Sequence, residues 1–233
     1  MNNPSGPPDW SKLYTARRRV VACATVIEEM LPLLPGDVPY EELDFGLHVN
    51  PQKLKEALQR KIDESSQQAD VLLLGYGLCS MAVVGLRATT ATLVIPRTDD
   101  CIAIFLGSCN AYKEQAKKEP GTYYLTKGWI EAGDTPFEQH QKLIDKYGHE
   151  KAEYVTSLML KNYKRLAFIN TGQYEIERYR AYSRSTAEKF GLRFEELEGS
   201  PNLVRKMIFG PWDDEFVVVS PGETITFQHF ANR

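Results

Sequence analysis

The chain has 233 residues, enough for one large domain or two small ones, with 42% hydrophobic and 25% charged residues. This ordinary globular composition excludes a disordered, collagen-like or coiled-coil chain. Lys and Arg number 28 against 31 Asp and Glu, a net charge of −3 at pH 7, so no basic surplus advertises nucleic-acid binding.

The longest apolar runs, such as Val71-Leu72-Leu73-Leu74, fall far short of the ~18 residues a membrane span needs. Arg17-Arg18-Arg19 precedes an apolar stretch from Val20 to Ile27, as in a short signal peptide, but that stretch runs straight into Glu28-Glu29 without a small-residue cleavage site. The segment reads as a first β-strand entered from a basic tail, and a cytoplasmic protein is expected. In that compartment the four cysteines, at positions 23, 79, 101 and 109, read as ligands, nucleophiles or core residues rather than disulfides. No CxxC pair is present.

Residues 1–18 read as a loose tail, and a repeated strand–helix grammar follows it. Val20 to Cys23 is a short apolar run, followed by Thr25-x-x-Glu28 as a capping box and a helical pattern from Val26 to Leu34. Leu43, Phe45 and Leu47 alternate as a second strand ending at His48. Asn50-Pro51 then caps a helix with Leu54, Leu58 and Ile62 on one face. Ala69 to Leu74 is a buried strand that stops at Gly75-Tyr76-Gly77 and leads into a helix near Cys79. Thr92 to Ile95 is a fourth strand, ended by Pro96 and followed by a helix beginning around Asp99 to Cys101. Cys109, eight residues past Cys101, would lie more than two turns down that helix and point away from the strand ends.

The middle of the chain breaks the rhythm. Pro120 to Thr126 reads as a turn and an extended aromatic piece, and Pro136 to Asp145 and His149 to Tyr163 as helices, with His140 and His149 on the surface. Strand Leu166 to Ile169, loop Asn170-Thr171-Gly172, helix Tyr174 to Phe190, strand Phe194 to Leu197, helix Pro201 to Ile208 and strand Phe216 to Val219 complete the chain. This pattern predicts an α/β fold: two Rossmann-like lobes with parallel sheets, at 19–118 and 164–233, joined by an aromatic and helical connector at 119–163.

In an open α/β sheet, ligands bind outside the carboxyl ends of the strands. Cys23, His48, Cys79 and Cys101 all fall at predicted strand ends, so four soft or borderline ligands are expected to gather there. Zinc, copper and iron–sulfur centres take such residues, and three protein ligands leave a position open for chemistry. Each cysteine alone could equally be a small core residue. Expected helix N-termini at Cys79 and Cys101 would favour the thiolate.

Gly75-Tyr76-Gly77 is a partial phosphate-loop pattern, because Ser80 stands where a dinucleotide fingerprint has its third glycine. Its alternative reading is a tight turn approaching another backbone. Arg97 could hold an anionic group, and Asp100 could act as a base or hold His48; the alternative is a solvated, helix-capping loop. Asn170, Thr171 and Gly172 could bind the polar end of a ligand if the lobes face each other. Tyr123 to Trp129 would then either wall the gap or pack between the lobes.

Leu47-His48, the run Leu73 to Cys79 (LLGYGLC), Pro96-Arg97 with Asp100-Cys101-Ile102, Leu106-Gly107-Ser108, and Gly121 to Thr126 with Gly128 to Glu131 resemble a prokaryotic family of unknown function, DUF1638, over roughly Val20 to Gly222. Asp99 and Thr25 depart from its pattern, in which a His and an acidic residue are implied. The resemblance implies an association with corrinoid-dependent methyl-transfer systems and hence one-carbon or methylated-compound metabolism. Three functions follow as expectations: a zinc or iron–sulfur protein built on Cys23, Cys79 and Cys101 with His48 as ligand or acid/base; a metal-free module binding a small or tetrapyrrole-like ligand as accessory to a methyltransferase; or a cysteine-nucleophile enzyme.

Overall fold

The structure, a computed structural model, describes residues 16–132 and 135–231 together with Leu13; most of the expected tail lies outside the described residues. Eight strands form two sheets. The first holds β1 (Arg18–Cys23), β2 (Tyr40–Leu43), β3 (Val71–Gly75), β4 (Thr92–Pro96) and β8 (Phe216–Val219) in the order β2-β1-β3-β4-β8. The second holds β5 (Thr122–Leu125), β6 (Arg165–Asn170) and β7 (Arg193–Glu198) in chain order. All pairings are parallel except β4 with β8, where Leu93 faces Val219 and Pro96 faces Phe216.

The α/β class and the parallel sheets are as the strand–helix alternation predicts. Two strands fall outside their expected sections. β8, read as part of the C-terminal lobe, closes the edge of the first sheet, and β5, read as connector, is an edge of the second. Neither pairing is visible in local periodicity, because a strand's partner is set by tertiary contacts rather than by its own sequence.

The helices are α1 (Ala24–Met30), α2 (Pro51–Ser65), α3 (Ile102–Leu106), α4 (Cys109–Lys118), α5 (Lys127–Ala132), α6 (Pro136–Tyr147), α7 (His149–Leu160), α8 (Glu177–Lys189), α9 (Asn202–Phe209) and α10 (Gln228–Ala231). In α2 the Asn50 side chain accepts from the Lys53 N–H at 3.1 Å and Pro51 fills the first turn. Leu54, Leu58 and Ile62 are fully buried against the sheet, as the 3.6-residue period requires. β3 and β4 are buried along their whole length, the mark of central strands covered on both faces.

Four local expectations are corrected. Helix α1 is capped by Cys23 without a side-chain bond, and Thr25 lies within it, bonded to the Cys23 sulfur at 3.4 Å. His48 stands on a 3-10 turn, Phe45–Val49, beyond β2. The chain at Cys79 makes a turn rather than a helix. The helix after Cys101 stops at Gly107, whose φ of 81° and close packing on Ser200 leave no room for a side chain. A new helix starts at Cys109 under a Ser108 cap.

The second sheet reaches the first through α5. A Cβ on Gly128 would stand 2.9 Å from the Thr25 side chain, so only a bare backbone lets α5 press on α1 this closely. Ion pairs from Lys127 to Glu28 and Glu131 flank the contact.

Candidate functional site

Cys23 closes β1, Cys79 lies four residues beyond β3 and Cys101 five beyond β4. The two later loops are tied by backbone bonds, Leu78 N–H to the Thr98 carbonyl at 2.9 Å and Cys79 N–H to the Asp99 carbonyl at 3.0 Å. Gly77 makes that approach possible: a Cβ there would meet Thr98 Oγ1 at 2.5 Å and Asp100 N at 2.8 Å. Gly75 is equally tight, with Ala22 Cβ 2.4 Å from where its own would stand. The Gly-Tyr-Gly segment is thus shaped by backbone approach, the second of the two sequence readings.

The three cysteines are buried, at 2%, 8% and 6% exposure for Cys23, Cys79 and Cys101. Burial pushes all three thiols up. Cys79 reaches about 12, raised further by the charges of Asp100 and Cys23. Cys101 is raised by burial and then by Asp100, Cys79 and Cys23. Cys23 is raised by burial against the opposing Thr25 hydroxyl. The expected thiolate-favouring helix ends do not operate: Cys79 starts no helix, and the helix after Cys101 has only five residues. The charge of Cys23 acts on Cys79, and the charges of Cys23 and Cys79 act on Cys101.

Tyr76 lies beneath them, 1% exposed, in the field of all three cysteines and of Glu42. Its hydroxyl has no hydrogen-bond partner. Leaving a buried hydroxyl unpaired costs about 1–3 kcal/mol. Trp129 approaches from α5. Its indole N–H favours the Cys101 thiolate, yet makes no hydrogen bond of ordinary geometry.

His48 joins the site through its ring, stacked on Phe45 at 5.3 Å and on Tyr76 at 6.1 Å. Its Nδ1 lies 3.0 Å from the Phe45 carbonyl. A carbonyl only accepts, so Nδ1 carries the proton and Nε2 of the neutral ring keeps its lone pair. Burial lowers the His48 pKa, which keeps the ring neutral. A backbone carbonyl holding one imidazole nitrogen is the arrangement that orients a histidine for a metal or a proton at the other.

The remaining predicted residues divide. Asp100 is central: its carboxylate accepts from Ile102 N–H at 2.8 Å and Tyr112 Oη at 3.2 Å, and its charge reaches Cys79 and Cys101. Arg97 turns to the other edge, donating to the Phe216 carbonyl of β8 at 3.0 Å. Cys109 donates to the Arg97 carbonyl at 3.1 Å.

Asn170 donates to Glu196 at 2.8 Å and accepts from Gly172 N–H at 2.9 Å, and Thr171 is buried. Their loop meets the first lobe at α1, where Gln173 donates to the buried Glu29 carboxylate at 2.8 Å, ~9 Å of helix rise from Cys23. His140, expected on the surface, is buried and bonded to Thr156 Oγ1 at 2.9 Å.

A cavity opens between α3 and α4 on one side and β5 and α5 on the other, with Asp100 and Ile102, the neighbours of Cys101, and Tyr112, Tyr123, Tyr124 and Trp129 in its wall. The segment Tyr123 to Trp129 is the wall that the sequence offered as one of its two readings. Tyr112 was missed, because the unbroken helix assumed past Cys101 hid its orientation. Gly107-Ser108, a helix stop followed by a cap, was the available signal.

The model of the family described as proteins of unknown function, DUF1638, matches residues 42–208, more than half of the chain. The chain belongs to the DUF1638 family. No curated protein matches it, and no solved structure matches it. In this DUF1638 protein the family match includes His48, Cys79, Cys101 and the aromatic wall, while Cys23 and β8 lie outside it. Among the described residues, no three His, Cys, Asp or Glu side chains already stand at metal-holding spacing, and no helix is long and apolar enough to cross a membrane.

Proposed function

We propose that Cys23, Cys79 and Cys101 hold a soft transition-metal centre, zinc or an iron–sulfur cluster, with His48 Nε2 as fourth ligand or proton acceptor. The observation that carries this reading is three buried cysteines at or shortly beyond the ends of adjacent strands, of which Cys23 acts on the other two, while the other charges that raise the thiols, Asp100 and Glu42, are negative. Such a site is short of positive charge, and a bound cation would convert raised thiols into thiolate ligands, releasing protons. The donor set suits the group: sulfur and a bare imidazole nitrogen are what zinc and iron take. The ligands would have to draw together on binding. A free cysteine nucleophile is less well supported, because a thiol near 12 with no bonded base is a weak one. The setting proposed is one-carbon or methylated-compound metabolism, as the family resemblance implies.

Metal analysis of protein purified without oxygen tests the proposal. About one equivalent of zinc, or iron with matching sulfide, is expected, lost in Cys79→Ser and Cys101→Ser and kept in Cys109→Ser. Wild-type protein with less than about half an equivalent of any transition metal overturns it.

A further inference from the structure

The cavity lined by the neighbours of Cys101 has a chemical character of its own. It measures about 210 Å³, below the ~300 Å³ at which pockets for drug-sized ligands begin, so its occupant is small. Five aromatic rings form much of its wall: Tyr112, Tyr123, Tyr124, Trp129 and Tyr163. They meet edge to face, Tyr112 with Tyr124 at 6.0 Å, Tyr123 with Trp129 at 6.3 Å and Tyr123 with Tyr163 at 5.2 Å. Rings set at such steep angles make the sides of a box rather than a stack.

The charge in that box has one sign. Asp100 is the one lining residue with an ionisable acid or base group other than tyrosine phenols, and its two hydrogen bonds leave further lone pairs on the carboxylate. Among the described residues, no Lys, Arg or His lines the space. Arg165, whose charge acts on Tyr124 and which donates to the lining Thr122 hydroxyl at 2.8 Å, is wholly buried behind the wall and paired with Glu195 at 3.0 Å. Aromatic faces are the negative part of a ring's quadrupole, and rings combined with one carboxylate bind organic cations by cation–π attraction. Tyr124 Oη, without an ordinary hydrogen bond, can serve one polar appendage on such a ligand.

We infer that the cavity walled by Tyr112, Tyr123, Tyr124, Trp129 and Tyr163 and closed by Asp100 is a binding site for a small organic ammonium cation. The inference deepens the proposed function by naming what binds next to the Cys101 loop. It requires no metal, so the two can fail separately.

Titration of metal-free and metal-loaded full-length protein with choline and with its uncharged tert-butyl analogue, read by calorimetry and tryptophan fluorescence, tests it. Choline is expected to bind in both forms at least about tenfold more tightly than the neutral analogue. Tyr124→Phe keeps the ring and should bind within about threefold of wild type, whereas Tyr124→Leu and Asp100→Asn should each lose about tenfold or more. Melting curves confirm that the variants are folded. Equal affinity for choline and its neutral analogue, no binding of either, or unchanged binding in a folded Asp100→Asn protein overturns the inference. Binding that survives while the metal analysis fails leaves a cation site without a metal centre.

Discussion

Cys79, Ser80 and Met81 all have positive φ, at 44°, 55° and 72°, three consecutive side-chain-bearing residues in the left-handed region. Each costs roughly 1–2 kcal/mol, and such strain persists only where the surroundings over-determine it. Here the bonds from Leu78 and Cys79 to the 98–99 backbone do so, and the product is the placement of Cys79 among the other thiols. Ser80 is exposed, so Ser80→Gly should relieve strain without loss of packing. A gain of about 0.5 kcal/mol is expected after glycine's own entropic cost, read as a higher urea midpoint.

Glu29 supplies a second residue-scale test. It is 3% exposed and its pKa is raised, by burial first, against the hydroxyl of Thr171 and the amide of Gln173. A raised carboxyl binds its proton more tightly when folded, so ionisation costs stability at neutral pH. Stability from this group therefore rises as pH falls from neutral through the raised folded value, and levels off below the ordinary 4.5. Glu29→Gln keeps an acceptor for Gln173 and removes the ionisation, so it should raise the melting temperature at pH 7 and flatten its pH dependence. A lower melting temperature at pH 7 would show that the charge itself holds the lobes together.

At the scale of elements, the break between α3 and α4 carries the site, because it turns Tyr112 toward Asp100. Gly107 is the pivot: a Cβ there would meet Ser200 Cβ at 2.5 Å and its carbonyl at 2.9 Å. Gly148, at the same φ of 81°, has nothing within 4 Å. Gly148, with ψ of 166°, lies in a region that only glycine adopts readily, so Gly148→Ala should cost about 1–3 kcal/mol of backbone strain alone. Gly107→Ala, at ψ of 0°, should cost about 2 kcal/mol or more by adding overlap with backbone to left-handed strain. Denaturation curves of the two variants check both costs.

The same elements show how far sequence reasoning carries. Buried runs at β1, β3 and β4 and the position of Cys23, Cys79 and Cys101 at or shortly beyond their ends follow from composition and the parallel-sheet rule. The unpaired Tyr76 hydroxyl and the raised thiols do not, because burial and partners are tertiary facts. Arg97 illustrates the opposite case. Its place in the chain suggested the site, and a long flexible side chain carried its charge to the carbonyl of β8.

Across the whole molecule, β8 is the antiparallel edge that covers β4, and α9, Trp212 and Phe230 pack into the same core as β1 and β3. Truncation after residue 199 would strip that edge and expose apolar surface on β4. The shortened chain should be insoluble or bind a hydrophobic dye strongly, whereas a fold of two independent lobes would leave the first intact. A folded, monodisperse fragment would refute this account of the core.

The Arg18 guanidinium donates to the Ile208 carbonyl at 2.6 Å across 190 residues of sequence. A chain emerging in order from its amino end thus makes the first strands of a sheet long before their last partner exists. Lengthening the segment between them adds little, since closure entropy grows only with the logarithm of loop length, so the second sheet can be carried as an insertion at small thermodynamic cost. The cost is one of timing: β4 waits with an open edge of unpaired backbone N–H and C=O groups while the β5–β7 segment is synthesised. The cysteine site, whose Trp129 wall belongs to that inserted segment, is completed only after the nascent chain has passed through this exposed stage.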